Sequence, residues 1–329
     1  MSLHFELEAP FGFSLAAAAD FYAGFAPMGG AARQLERKLQ LALRLDGTFE
    51  AVAATLSQEG SRLVVEVEGT TDRARRTPQL TRMLGLDADG KAWAAVGEAD
   101  PVLGAVKRHF PGFFTAGFPS PYEAGVGGVL SHRSSVKQAG VTRRRLSEAH
   151  GTLVGGLWVL PSPQQLLTVK SFPGIAVQKL EVLQGLARAA LDGTLDAQRL
   201  RALPMEQALE ELQRLRGVGP WTASHLLVRG ASLQDALPVT EPRVLRAFTH
   251  AYARPESEFV TTSALWKPFR MWACIALVRN LGLAGKWAAV PSDFQRRGKR
   301  AAYAVKGRRG AQPPAPRALP SAERERRQA

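Results

Sequence analysis

The stretch ALEELQRLRGVGPWTASHLLVRG, residues 208–230, joins two amphipathic segments through a turn too tight for side chains. The first segment ends at Arg216, Gly217, Val218 and Gly219 make the turn, and Pro220 opens the second segment where a missing N–H costs nothing. Such a hairpin points the free N–H groups of its turn outward, together with those of the next first turn, where Thr222 stands. A cluster of that kind suits a phosphate oxygen and reads no base sequence. An ordinary αα-hairpin would show the same local pattern. Twenty-two positions after Gly219 comes Glu241, in DALPVTEP. A carboxylate there could stabilise positive charge or orient a water. With Thr240 as N-cap and Pro242 in the first turn, it could equally do no more than complement a helix dipole.

The elements that must position these residues fall into three parts. Residues 1–100 read as mixed α/β: SLAAAADFYAGF is helical, and LQLALRLDG, FEAVAATLS and SRLVVEVEGT read as strands of an antiparallel meander joined by short turns. Residues 101–290 read as an all-α body, with leucine and alanine at three- and four-residue spacing and several helices opened by Ser-Pro and closed by Gly. Residues 291–329, rich in Pro, Gly and Arg, read as a basic, disordered tail. The fold class is therefore α+β.

The chain of 329 residues carries a formal charge of +14, which points to a polyanionic partner, nucleic acid first. Much of that charge lies in the tail, which holds Arg296, Arg297, Lys299 and Arg300 within five positions, so charge alone supports nucleic acid only in part. The single cysteine, Cys274, excludes an internal disulfide and any all-cysteine metal site within the chain. No apolar run reaches the roughly 18 residues of a membrane span, and Glu6 and Glu8 stand where a signal peptide would be basic. The expectation is a cytoplasmic protein with no membrane contact.

LRGVGPWTA followed by DALPVTEP resembles the helix-hairpin-helix DNA glycosylase superfamily, in which a Gly/Pro-rich loop leads to an acid one helix further on. Within it the chain is most similar to the 3-methyladenine DNA glycosylase II branch. LPSPQQLLTV, GIAVQKLEVLQGLARAALDGTL, WKPFRMWACIAL and VGGVLSHRSS extend the likeness from about Phe110 to Leu283. The resemblance implies an N-terminal antiparallel-sheet domain followed by a helix-hairpin-helix body, acting as a monomer on double-stranded DNA without a cofactor. It implies a base-excision-repair glycosylase that flips a damaged, alkylated base out of the duplex and hydrolyses its N-glycosidic bond.

The residue roles follow from that likeness. Glu241 would be the catalytic carboxylate, although the family places Asp there, and one more methylene moves a carboxylate by about 1 Å. Trp221 and His225 would wall the base pocket, with a core tryptophan bracing the hairpin as the other reading of Trp221. The expected pocket tryptophan of the WKPFRMWACIALVRN helix is replaced by Val278. Gly217, Val218, Gly219 and Thr222 would hold the DNA backbone. His132 and Arg133 stand in the wedge turn, where the family has an aliphatic residue, so either could fill the gap or both could be plain loop residues. Relatives that also cut the strand carry a lysine amine where this chain has Trp221, which implies hydrolysis without lyase activity. Lys267 is no substitute, since non-lyase relatives share it, and Asp235 reads as a cap before the Pro loop. No metal is expected, except that the carbonyls of Leu215 and Val218 could hold a monovalent cation as similar hairpins do. The alternative is a catalytically weak or silent DNA-damage-binding protein on the same fold, motivated by Glu241, Val278 and the histidine at 225; a general nucleic-acid-binding module with the tail as main contact is a third reading.

Overall fold

The computed structural model of the chain describes residues 2–69, 73–115 and 117–283. In chain order the first elements are β1 (Ser2–Glu8), α1 (Leu15–Ala23), β2 (Ala32–Leu35), β3 (Lys38–Arg44), β4 (Ala51–Glu59) and β5 (Arg62–Glu68). Helices α2 (Arg73–Leu84), α3 (Gly90–Ala99), α4 (Pro101–Arg108), α5 (Pro121–Ser131) and α6 (Val136–His150) follow. After a hairpin of β6 (Thr152–Val154) and β7 (Leu157–Val159) come α7 (Pro163–Thr168), α8 (Val177–Leu191), α9 (Ala197–Ala202), α10 (Met205–Gln213) and α11 (Pro220–His225). The last are α12 (Pro242–Tyr252), α13 (Phe259–Thr262) and α14 (Arg270–Leu283). The fold is α+β, as the residue pattern indicates. The stretch 291–329 lies outside the described residues.

The five-stranded sheet is antiparallel, in the order β1-β5-β4-β3-β2. Its register aligns Leu39 with Leu56, Leu56 with Val65, and Val65 with Phe5, so alternate residues put one apolar row on the inner face. That row joins α1–α4 and α12–α14 in one core, with Trp266, Phe248 and Phe269 at most 1% exposed. A second core is built from α5–α11 around Leu146, Leu166, Leu183 and Leu226.

Two elements differ from the sequence reading. The body is not wholly helical, because β6 and β7 pair across Gly155 and Gly156, both at positive φ, and pack Leu157 and Val159 on Ala42 of the sheet's outer face. SPYEAGVGGVLSHRSSVKQAGVTRRRLSEAHG is two helices rather than one. Ser120 and Ser135 cap them, and Arg133 breaks the run between them with φ 54°.

Outer face and body are joined by buried charge. Arg44 on β3 donates its Nε to the Leu160 carbonyl and its backbone N–H to Glu123 of α5 at 3.1 Å. Arg143 of α6 is paired with the other Glu123 oxygen, and the two side chains are 1% and 0% exposed. This cluster fixes α5 and α6 against each other and so holds the turn of residues 132–135 in place. Among the described residues no helix is long and apolar enough to cross a membrane.

Candidate active site at the hairpin

Helix α10 buries Ala208 and Leu212, one turn apart, and Val218 anchors the turn in the second core at 5% exposure. Gly217 sits at φ 80°, and a Cβ there would lie 2.3 Å from Val182 of α8, so backbone and space both demand glycine. The Val218 N–H is not free: it donates to the Leu215 carbonyl at 3.0 Å. Gly217 and Gly219 are exposed, and among the described residues their N–H groups donate to no other backbone carbonyl. Of the N–H groups expected to face an anion, that of Val218 is therefore taken up within the turn. The Leu215 carbonyl accepts from the Val218 N–H and keeps its second lone pair. Among the described residues no cluster of three His, Cys, Asp or Glu is placed to hold a metal ion.

The sequence suggests one helix through residue 230, but α11 ends at His225 and the chain continues as a π-helical turn, Leu226–Gly230. That wider turn brings Gly230 against Pro121, where a Cβ would lie 2.5 Å from the Pro121 Cα. Trp221 and His225, four residues apart on α11, stack face to face with centroids 5.1 Å apart and planes at 10°. Phe118 meets the His225 ring edge-on at 5.6 Å, and His132 meets Trp221 at 6.1 Å. Four rings therefore form a column along α11. Gly128 of α5 lets it approach, since a Cβ there would lie 3.3 Å from His225.

Glu241 is itself the N-cap of α12, with φ −83° and ψ 108°, so the expected Thr240 cap is displaced by one residue. One carboxylate oxygen accepts from the Trp221 indole Nε1–H. The other accepts from the Arg243 Nε at 3.1 Å and from the Arg243 backbone N–H at 3.3 Å. The Glu241 side chain is 17% exposed, so it is reachable from outside while largely surrounded. The capping role and access from outside belong to one side chain in one conformation. The loop before it is tied down by Asp235, whose carboxylate takes the Arg270 Nε at 2.8 Å and caps α14 through the Arg270 N–H at 3.4 Å.

Charge around the column is mostly positive. Burial, with help from Arg229, Arg243 and His132, pushes the His225 imidazole down to about 3, so the ring is neutral at physiological pH. Burial likewise lowers His132, aided by Lys179 and Arg133. Arg229, behind the column over the Phe25 ring at 5.1 Å, is brought down to about 10 by burial and still carries its charge.

The remaining expected site residues separate in space. His132 turns inward, half-buried, with Nε2 3.1 Å from the Thr222 hydroxyl, whereas Arg133 is exposed at the tip of the turn. The Thr222 side chain is 2% exposed and lies against His132, which leaves its first-turn backbone N–H as the group that could meet DNA. The assignment of Val218 is corrected, since its side chain is core and its N–H is used. Val278 lies half-buried against the first core, and the tryptophan of its helix, Trp272, packs inside on Trp93 and Phe269. Lys267 is exposed before α14. Sequence reading missed Arg243, Phe118 and Lys179, whose amine donates to the Leu130 carbonyl at 3.2 Å beside the wedge turn. Only Arg243 left a signal: a basic residue in a helix's first turn opposes the dipole and asks for a local acid.

Comparison with known proteins agrees with this geometry. No family model matches the chain. It is 27% identical over 212 residues to the DNA-3-methyladenine glycosylase of Bacillus subtilis, covering 60% of this chain and 69% of that protein. It is 31% identical over 243 residues to a probable bifunctional transcriptional activator/DNA repair enzyme AlkA of Mycobacterium tuberculosis, covering 70% of this chain and 48% of that protein. The 3-methyladenine DNA-glycosylase from Archaeoglobus fulgidus superposes with a TM-score of 0.66 at 19% identity, over 83% of this chain and 97% of that one, a likeness of fold. Hairpin, acid, sheet and relatives point the same way: the chain is similar to the 3-methyladenine DNA glycosylases of the helix-hairpin-helix superfamily.

Proposed function

We propose that the protein is a DNA glycosylase of base excision repair that removes alkylated bases from double-stranded DNA by hydrolysis and leaves the strand intact. The observation that carries this reading is the Trp221 indole N–H donating to the Glu241 carboxylate at the mouth of the exposed hairpin. A base flipped against the outer side of Trp221 would place its sugar beside that carboxylate. As the base departs, positive charge builds on the sugar, and Glu241 stabilises it and orients the attacking water. An alkylated base is already cationic and needs no general acid.

The other parts take matching roles. Gly217 and Gly219 present N–H groups to a phosphate, and Arg133, exposed and ahead of the ring column, fills the gap in the duplex while His132 stays behind it. Position 221 holds an indole, which cannot form a Schiff base, so the reaction stops at the abasic site. In this reading residues 1–100 are a supporting sheet domain, 101–290 the glycosylase body and 291–329 a basic tail, and the chain acts as a monomer.

The test compares wild type with Glu241→Gln on methylated, hypoxanthine- and uracil-containing duplexes, with heat or alkali exposing abasic sites. The expected result is alkali-dependent breaks in methylated DNA with wild type and loss of them in the variant. Equal release by both proteins removes the catalytic role of Glu241. No release by either, with tight binding to an abasic analogue, establishes a silent damage-binding protein instead. Breaks without alkali contradict hydrolysis alone.

A further inference from the structure

We infer that Arg243 and the Trp221 indole N–H are positioning residues that aim the Glu241 carboxylate. This rests on the reading of Glu241 as the reacting carboxylate. A glutamate has one more rotatable bond than the aspartate the family resemblance leads one to expect, and a carboxylate on a free three-torsion chain spreads over several staggered positions. Here both oxygens are held from different elements. Oε2 takes the indole N–H from α11, and Oε1 takes the Nε and backbone N–H of Arg243 from the first turn of α12.

The two donors do different work. Trp221 stands on α11, whose Ala223 is in the second core, and Glu241 caps α12, whose Phe248 is in the first, so the indole bond ties the carboxylate to the ring surface across the two cores' helices. Arg243 sits on the same helix, two residues on, with its guanidinium 35% exposed. It engages through Nε rather than the terminal nitrogens, which leaves the outer edge of the guanidinium toward solvent and one side of the carboxylate open to a reacting sugar. At the first turn of α12, facing a helix dipole, its charge is unfavourable unless Glu241 offsets it. The clamp thus explains both the glutamate and the misplaced arginine. Misplacing a reacting group by about 1 Å costs on the order of 100-fold in rate, which sets the scale of the effect.

The experiment measures single-turnover base release and, separately, duplex affinity, on DNA treated with a methylating agent. Arg243→Met, Arg243→Lys and Trp221→Phe, the last keeping a ring but losing the N–H, are made in wild type and in Glu241→Gln. The expected result is a fall of about 10- to 100-fold in release rate for Arg243→Met and Trp221→Phe, with duplex affinity within about threefold. Arg243→Lys, which keeps the charge and one donor, recovers part of the lost rate. In the Glu241→Gln background the Arg243 substitutions change the residual rate by less than about twofold, because there is no carboxylate left to aim. If Arg243→Met and Trp221→Phe release base at the wild-type rate while Glu241→Gln is impaired, the clamp is wrong and the catalytic reading stands. If Arg243→Met weakens duplex binding equally in both backgrounds, Arg243 is a phosphate contact and the proposal is overturned. If Glu241→Gln itself is unimpaired, the catalytic reading falls first and the clamp with it.

Discussion

Two of the molecule's arginine–glutamate pairs differ in character because of where they lie. Glu123 and Arg143 are sealed between α5, α6 and the outer face of the sheet, at 0% and 1% exposure. Glu241 and Arg243 hold each other at 17% and 35% exposure, on the rim where the two cores meet. In the sealed pair every contact is spent on structure: Glu123 takes Arg44 from the sheet and Arg143 from α6, and Arg143 also donates to the Glu123 carbonyl at 3.0 Å. Burial makes such a pair costly to desolvate and far costlier to break. The rim pair keeps an open side, so its carboxylate remains available to a ligand. Burial, rather than residue type, decides which acid is sealed and which stays accessible.

The largest expected effect breaks the sealed pair. Glu123→Ala leaves the buried Arg143 guanidinium without its acid and the Arg44 backbone N–H without its acceptor, and the loss should reach about 3–5 kcal/mol in urea denaturation. A change below about 1 kcal/mol would show that the pair is not the joint we describe. Glu241→Gln should do the reverse, slowing base release by about 100- to 1000-fold while costing no more than about 1 kcal/mol of stability through the weakened cap. If its melting falls as far as that of Glu123→Ala, the contrast between support and reagent fails.

Neighbours in the wedge turn offer a finer version of the same contrast. Arg133→Ala should weaken binding to a damaged duplex by roughly tenfold and flatten its salt dependence by about one charge, with melting unchanged. His132→Ala should instead lower stability by about 1–3 kcal/mol, since it strands the buried Thr222 hydroxyl. Reversed results would exchange the two roles.

The smallest effect is pH dependence. His225 and His132 both titrate lower in the folded chain than in the unfolded one, His225 at about 3. The unfolded chain therefore binds more protons below about pH 6.5. The contribution of these neutral rings is complete above that pH and is lost progressively as pH falls from about 6.5 toward 3. His225→Phe should flatten the acid side of the stability profile measured by denaturant midpoints, and an unchanged slope would mean that the ring is not held neutral.

Much of this was legible in residue order. Gly217, Gly219 and Pro220 mark the hairpin by backbone limits that act within a few residues, and Ser-Pro starts mark α5 and α7. β3, β4 and β5 show as apolar runs because both or one of their faces are buried. β2 left no pattern, having no buried residue to reveal it. β1 and the β6–β7 hairpin did carry signals, alternating Leu3, Phe5 and Leu7 and a Gly-Gly turn, that the helical texture around them hid.

The sequence by itself determined that a glycine-rich hairpin precedes an acid by 22 positions, and that an indole rather than an amine stands at 221. Those are properties of local backbone geometry and residue chemistry. Only the tertiary structure decided that Glu241 caps α12 while meeting the Trp221 indole, that Arg243 grips it, that His132 turns in and Arg133 out, and that the Thr222 side chain is buried against His132. Each of those depends on where helices from different cores come to rest, and packing over such separations is not written in the spacing of neighbours.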